Sequence, residues 1–456
     1  MKRTFSKRLG IAIGLGRWLL AGATGSAAVA QTMAAKSLIV AITLVTGVLT
    51  ARFLAPTGRG EQAAMAMWPQ FLAYSMTLGI PTSLRYYLRR EPEEHPRLVA
   101  GALVVTSVLA VVAAATGVLI VPKWLSQYSP SVVAFAQALM VFVPVEMFAD
   151  LFVSFLNARC EFSRANEIAL IPPAATLIGL VALASVHHLN PFSSTLCYVG
   201  ASALTFCWTL WRVWPFLALR FKGAAAAAGR LLHYGARSYG IDLLGMLSMQ
   251  IDQVLVVGML SPGSMGIYTV ALSVSRLLHI IHTSVNTVLF PKASSLMRDD
   301  IVELTNRAAR ISTATTLLAA VALIVVAPIV VPLFYGRAFA AAVPIAQILT
   351  LEAVLAGATW VLAQAFMAAG KPGVVTILQA LGLGVCVPLM LWLIPLYGLA
   401  GAAFALMGST AVRFVLVSLA YPALLGAPLP RLVLRRADLS HVRAVCSAAL
   451  RVSASR

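Results

Sequence analysis

The sequence predicts an all-α polytopic membrane protein, with about twelve transmembrane helices in two six-helix lobes. Three observations carry that prediction. Of 456 residues, 60% are hydrophobic and only 11% are charged, with a mean hydropathy of +0.89; a soluble protein carries about 25% charged residues. Twelve stretches are long and apolar enough to cross a bilayer, which takes about 20 residues. A proline–glycine turn recurs 206 residues along the chain, as a duplicated half would require. The composition excludes a soluble enzyme, a disordered chain and a secreted disulfide scaffold. Five cysteines, an odd number with no CxxC pair, read as small buried hydrophobes rather than metal or redox ligands.

In order, the expected spans are 31–53, 63–84, 98–121, 132–157, 167–186, 195–218, 237–260, 265–290, 311–335, 343–368, 374–395 and 398–422. They group into an N-lobe (31–218) and a C-lobe (237–422). Outside them lie a basic N-terminal segment (1–30), a basic connector (219–236), the 291–310 loop and a basic tail (423–456). None of these is long enough to fold as a separate domain, so function must reside in the helices.

The net charge of +19 gives the orientation. Lys and Arg concentrate on cytoplasmic loops. With the N-terminus cytoplasmic, twenty-nine of the 34 basic residues fall on that side. Four, Arg52, Arg59, Lys123 and Arg337, fall on the other, and Arg276 lies inside a span. Both termini are therefore expected in the cytoplasm, and a nucleic-acid partner is not needed to explain the charge. The start, MKRTFSKR followed by an apolar run and Ala28-Val29-Ala30, mimics a secretory signal. Arg17 interrupts that run, and cleavage would invert the charge balance. The segment reads instead as basic and lying on the inner surface.

Leu54-Ala-Pro56-Thr-Gly-Arg-Gly60 follows the first span, and Leu260-Ser-Pro262-Gly-Ser-Met-Gly266 follows the seventh. Both read L-x-P-x-x-x-G, suited to a tight turn between antiparallel spans. A weaker echo pairs 156–159 with 366–369. A six-helix repeat is even, so both halves share one topology about an axis along the membrane normal, an arrangement found in transporters.

Polar residues inside spans are costly and usually face an interior or a wet cavity. The eighth span carries Ser273, Arg276, His279, Thr283 and Asn286 at spacings of three and four, with His282 at the border. Arg276, about halfway across, reads either as the partner of Asp252, Asp242 or Glu352 in an ion pair between helices, or as a cationic wall for an anionic substrate. Phosphate suits its planar fork. The fourth span places Glu146, Asp150, Ser154 and Asn157 on one face. Two carboxylates at i,i+4 disfavour joint ionisation, which is what a proton relay uses; simple pairing with a neighbouring base is the alternative. Asp242, Asp252 and Glu352 complete the coupling candidates. The second span shows Gln70, Tyr74, Thr77, Pro81 and Arg85 on one stripe, with Pro81 expected to bend it. Arg52 and Arg59 read as interface anchors. No metal-binding histidine pattern, Walker loop, GxSxG or Rossmann fingerprint occurs, so no metal or cofactor is expected.

Thr50–Glu61 (TARFLAPTGRGE) and Leu78–Ser83 (LGIPTS) resemble the opening of O-antigen-type polysaccharide biosynthesis proteins. Ile251-Asp-Gln253, Gly266–Ala271 (GIYTVA), Val288–Pro291 (VLFP), Met367–Pro372 (MAAGKP) and Tyr397–Ala402 (YGLAGA) continue the resemblance. It runs from about 31 to 423 and implies membership of the multidrug/oligosaccharidyl-lipid/polysaccharide exporter superfamily, with a MATE-like flippase fold. What it implies further is a flippase, not an enzyme, in the bacterial inner membrane. Such a protein moves undecaprenyl-diphosphate-linked oligosaccharide units by alternating access around a cationic cavity. Membrane lipids, a polysaccharide polymerase and chain-length proteins would be its partners, and H+ or Na+ coupling stays open. Arg276, His279, His282, Ser273, Asn286, Arg85, Tyr74 and Gln70 are the expected cavity residues. A cation-coupled multidrug exporter is the alternative; a polysaccharide polymerase or ligase fits less well, because the outer loops are short.

Overall fold

In hydrocarbon, backbone polar groups find no partners except one another, so apolar runs of this length must be helical. The computed structural model describes residues 26–159, 161–293, 298–434 and 438; the expected spans are largely helical, the second and eighth are interrupted, and nine helices among the described residues are long and apolar enough to cross a membrane. The helices are α1 (Ser26–Ser75), α2 (Ile80–Arg90), α3 (His95–Trp124), α4 (Pro130–Ala158, through a 3-10 turn at Leu139–Phe142), α5 (Phe162–Ser185) and α6 (Pro191–Val213). They continue as α7 (Ala224–Met259), α8 (Pro262–Ser275), α9 (His279–Ala293), α10 (Arg298–Tyr335), α11 (Ala342–Ala368) and α12 (Pro372–Ala420). α1 contains two spans joined at a sharp turn at Ala55 (φ 57°). α12 contains two joined at Gly398 (φ 58°). No strand occurs among the described residues. The surface-lying reading of the first residues and most of the tail lie outside the described residues.

The chain forms two compact units. One ends at Val270 and takes in Pro332–Ala340; the other comprises Ala271–Val331 and the chain from Ala341 on.

In the first unit the second expected span does not bend at Pro81. It stops at Ser75, and after a non-helical link with Leu78 (φ 44°) and Gly79 (φ 70°) a new helix begins at Ile80. Proline fits the first turn of a helix, where its missing N–H is no loss, so Pro81 starts α2 instead of kinking a continuous helix. The link also needs glycine for space. A Cβ on Gly79 would stand 2.5 Å from the Gly235 carbonyl oxygen, and one on Gly235 would stand 2.5 Å from that of Leu78. Backbone thus meets backbone where α7 crosses the link, and Tyr239 donates to the Ser75 carbonyl beside it.

The two L-x-P-x-x-x-G turns touch each other reciprocally. A Cβ on Gly60 would fall 1.7 Å from the Pro262 carbonyl oxygen, and one on Gly266 would fall 1.9 Å from that of Pro56. Equivalent positions also face each other: a Cβ on Gly263 would lie 3.6 Å from Thr57 Oγ1. Residue i meeting j' while j meets i' is the signature of a two-fold axis, so the repeat read from the sequence is a spatial symmetry at this point. Thr57→Cys with Gly263→Cys places two thiols at the side-chain separation a disulfide needs. The doubly substituted protein is expected to crosslink on mild oxidation, read as a reducible mobility shift in denaturing gels. Neither single substitution should shift.

Arg52, expected as an anchor, donates from Nε to the Phe334 carbonyl at 2.7 Å and also to that of Leu333. It thereby satisfies the open carbonyls at the end of α10, where a cation is favoured.

In the second unit, α11 is the most enclosed helix, with 61% of its span window buried. Gly357 on α11 leaves room for His282: a Cβ there would sit 1.8 Å from the imidazole. In the N-terminal part of α10, Arg310 grips Asp438 through Nε (2.6 Å) and Nη2 (2.8 Å), with Arg307 at 3.9 Å. Both Arg310 and Asp438 are buried.

Candidate substrate-binding and coupling sites

The eighth expected span is not one continuous helix. It is α8 and α9 separated by a 3-10 turn at Arg276–Leu278, so Arg276 sits where the helical register changes. Arg276 is exposed inside an apolar span. Among the described residues it forms no ion pair. The three carboxylates considered as its partners hold other groups: Asp252 accepts from Tyr268 (2.8 Å), Asp242 from Thr82 (2.9 Å) and Glu352 from Thr410 (2.7 Å). His279 lies in the field of Arg276, and His282 in that of His279. His282 is buried, with Nδ1 3.4 Å from Ser312 Oγ. Thr283 turns its hydroxyl back to the His279 carbonyl (2.9 Å), and Asn286 keeps its amide buried. The expected stripe is therefore split: Arg276 reaches open space, while His282 and Asn286 point into the helix packing.

In the first unit, Arg85, Glu146, Asp150, Asp242 and Tyr74 come together from three parts of the sequence. Arg85 donates to Thr82 (2.9 Å), the same hydroxyl that donates to Asp242. Asp150 lies in the field of Arg85, Asp242 and Glu146, and Tyr74 in that of Asp150 and Glu146. Gln70 is exposed one turn before Tyr74. Asp252, by contrast, is buried with Tyr268, also buried, and ties α7 to α8.

A symmetry not read in the sequence emerges here. Glu146 lies near Ser202 on α6, and Glu352 accepts from Thr410 on α12. The two glutamates are 206 residues apart, the spacing of the turn motif. Each half thus carries a carboxylate beside a hydroxyl from the last helix of its repeat. Their charge settings differ. Glu146 has Asp150 nearby, whereas Glu352 shares its surroundings with Arg413. Arg413 had been counted with the basic tail; it lies instead within α12, against Gly382.

α2 lies between two candidate membrane spans. Ile80, Leu84 and Leu88 are buried and Arg85, Arg89 and Arg90 exposed, the pattern of a helix at a membrane interface. Its polar face lines an open recess of about 610 Å³ with Arg85, Tyr86, Arg89, Arg90 and Asn157. Tyr86 stacks on Tyr234 at 4.4 Å. Next to it, Arg230 pairs with Glu91 and lies over Tyr87; the hydrogen bond to Glu91 holds its guanidinium above the ordinary value. The sequence pattern singles out Arg85; Arg89 and Arg90 enter it only through the Lys/Arg balance that sets the expected orientation.

The family profile described as "Polysaccharide biosynthesis protein" matches residues 49–344. No curated protein matches the chain. Among solved structures, the lipid II flippase MurJ in an inward closed conformation is similar at 17% identity, covering 85% of this chain and 87% of that one, with a TM-score of 0.73. An inward-facing multidrug resistance MATE family transporter of the MOP superfamily is similar at 14%, with 84% and 94% covered and a TM-score of 0.67. A MOP superfamily transporter from Pyrococcus furiosus Vc1 (DSM3638), whose binding pocket is described as having reverse polarity, is similar at 14%, with 90% and 98% covered and a TM-score of 0.61. At these identities the likeness is one of fold.

Proposed function

Because the chain belongs to the polysaccharide biosynthesis protein family and folds as MOP-superfamily flippases and transporters do, we propose that it is a flippase for undecaprenyl-diphosphate-linked oligosaccharide units in the bacterial inner membrane. The observation that carries this reading is Arg276. A guanidinium exposed inside an apolar span, at a break between two helices, is expensive unless an anion or water meets it. A diphosphate is the anion that a planar fork recognises best. The saccharide would meet hydroxyl-bearing side chains near Arg276 such as Ser273, and the polyprenyl chain would stay in lipid. Alternating access would move the headgroup. The Glu146–Asp150 pair would couple it to H+ or Na+, and both termini would be cytoplasmic.

The test is surface polysaccharide in a strain lacking its own flippase and complemented with variants at equal membrane level. Arg276→Ala is expected to lower polymer more than tenfold. Arg276→Lys, which keeps charge but loses the fork, should fall between it and wild type. Full polymer from both variants removes Arg276 from the mechanism.

A second reading, a cation-coupled multidrug exporter, is favoured by the carboxylates gathered around Asp150. It predicts export of cationic dyes that fails in Glu146→Gln and Asp150→Asn. Dye export by the wild type without any effect on polysaccharide would select it over the flippase.

A further inference from the structure

The arginine recess on α2 is a second cationic feature, separate in the sequence from Arg276 and outside the candidate spans. Each of its arginines donates to a hydroxyl or carbonyl oxygen of the protein. Arg89 donates to the carbonyls of Asn157 (3.0 Å) and Ala158 (3.3 Å) at the end of α4. Arg90 donates to the Tyr86 hydroxyl while lying over its ring, and Arg85 donates to Thr82. Such bonds orient the guanidinium groups, and the residues lining the recess, Arg85, Tyr86, Arg89, Arg90 and Asn157, include no carboxylate. Its volume lies within the range of about 300–1,000 Å³ typical of small-molecule sites. The apolar side of α2 is buried in a core with Leu98, Leu151 and Leu231, so the arginines are presented from a fixed base. Preoriented guanidinium groups on an interfacial helix form a receptor for a phosphorylated group at lipid-headgroup depth.

We propose that this recess is a loading site, at which Arg85, Arg89 and Arg90 bind the diphosphate of the lipid-linked glycan before it reaches Arg276. The proposal rests on the flippase reading and adds to it a second phosphate site with its own residues. Asn157 and Tyr86 would lie beside the first sugar.

The test is binding of undecaprenyl diphosphate, without glycan, to the full-length protein in neutral-lipid nanodiscs, with inorganic pyrophosphate and phosphatidylglycerol as competitors. Arg85→Ala/Arg90→Ala is expected to weaken binding at least tenfold and to flatten its dependence on salt, while Arg90→Lys retains part of it. Arg89 is left intact because it also ties α2 to α4. Competition by pyrophosphate but not by phosphatidylglycerol supports a diphosphate site. Equal competition by phosphatidylglycerol makes the recess a general anionic-lipid site and overturns the proposal. Wild-type binding unchanged in the double variant also overturns it, leaving the flippase reading in place. Absence of binding by the wild type overturns both.

Discussion

Gly60→Ala or Gly266→Ala is expected to destabilise the protein by about 1–3 kcal/mol, the usual cost of overpacking, and the double variant is expected to cost little more than either one. The sign is informative. Both glycines are helical, and inside a helix glycine-to-alanine ordinarily stabilises, by up to about 1 kcal/mol. Here the added methyl meets backbone. Gly60 faces the Pro262 carbonyl, and Gly266 faces that of Pro56. No side chain can rotate away, so the two turns must separate. Once they have separated for one methyl, the second finds room, and the losses overlap instead of adding. Gly263→Ala is the control, since its Cβ would make only ordinary contact with Thr57. Thermal unfolding of the purified variants in detergent measures all four. Additive losses, or an equal loss in the control, would show that the turns are not packed as described.

Arg310→Ala is expected to cost more, about 3–5 kcal/mol, because it leaves the buried Asp438 carboxylate without its bidentate partner. Arg307, at 3.9 Å, compensates only in part. The charge-free pair Arg310→Met/Asp438→Leu should recover most of that loss, since replacing a buried ion pair by apolar groups is often neutral. Folded yield and unfolding temperature in detergent read both. If the double variant is as unstable as Arg310→Ala, packing rather than desolvation controls this site.

Much of the fold was legible because the bilayer makes hydropathy almost sufficient: apolar length dictates a helix. The turn motif was legible because proline and glycine are demanded by geometry rather than by context. That Glu146 and Asp150 are neighbours followed from their i,i+4 spacing, but their meeting with Tyr74 and Arg85 did not. Other features were hidden for definite reasons. Pro81 can bend a helix or begin one, and only the Gly79–Gly235 approach decides between them. Arg276 at a helix break broke the 3.6-residue register that had put His282 and Asn286 on its face. Arg89 and Arg90 look like ordinary interfacial charge until α4 ends beside them. Asp438 sits in a tail so basic that nothing local marks it. In each case the deciding contact is distant in sequence.

The paired turns also bear on descent. Two copies of a six-helix chain meeting at L-x-P-x-x-x-G would form a symmetric homodimer, in which any change is made twice. Fusion into one polypeptide releases that restriction, and the present turns have used the freedom unequally. Pro and the final Gly persist on both sides, where the backbones touch. Thr57 stands opposite its own counterpart Gly263, and the half-buried Arg59 corresponds to the buried Met265. The ancestral contact surface is thus kept, while its two sides have become free to acquire different tasks.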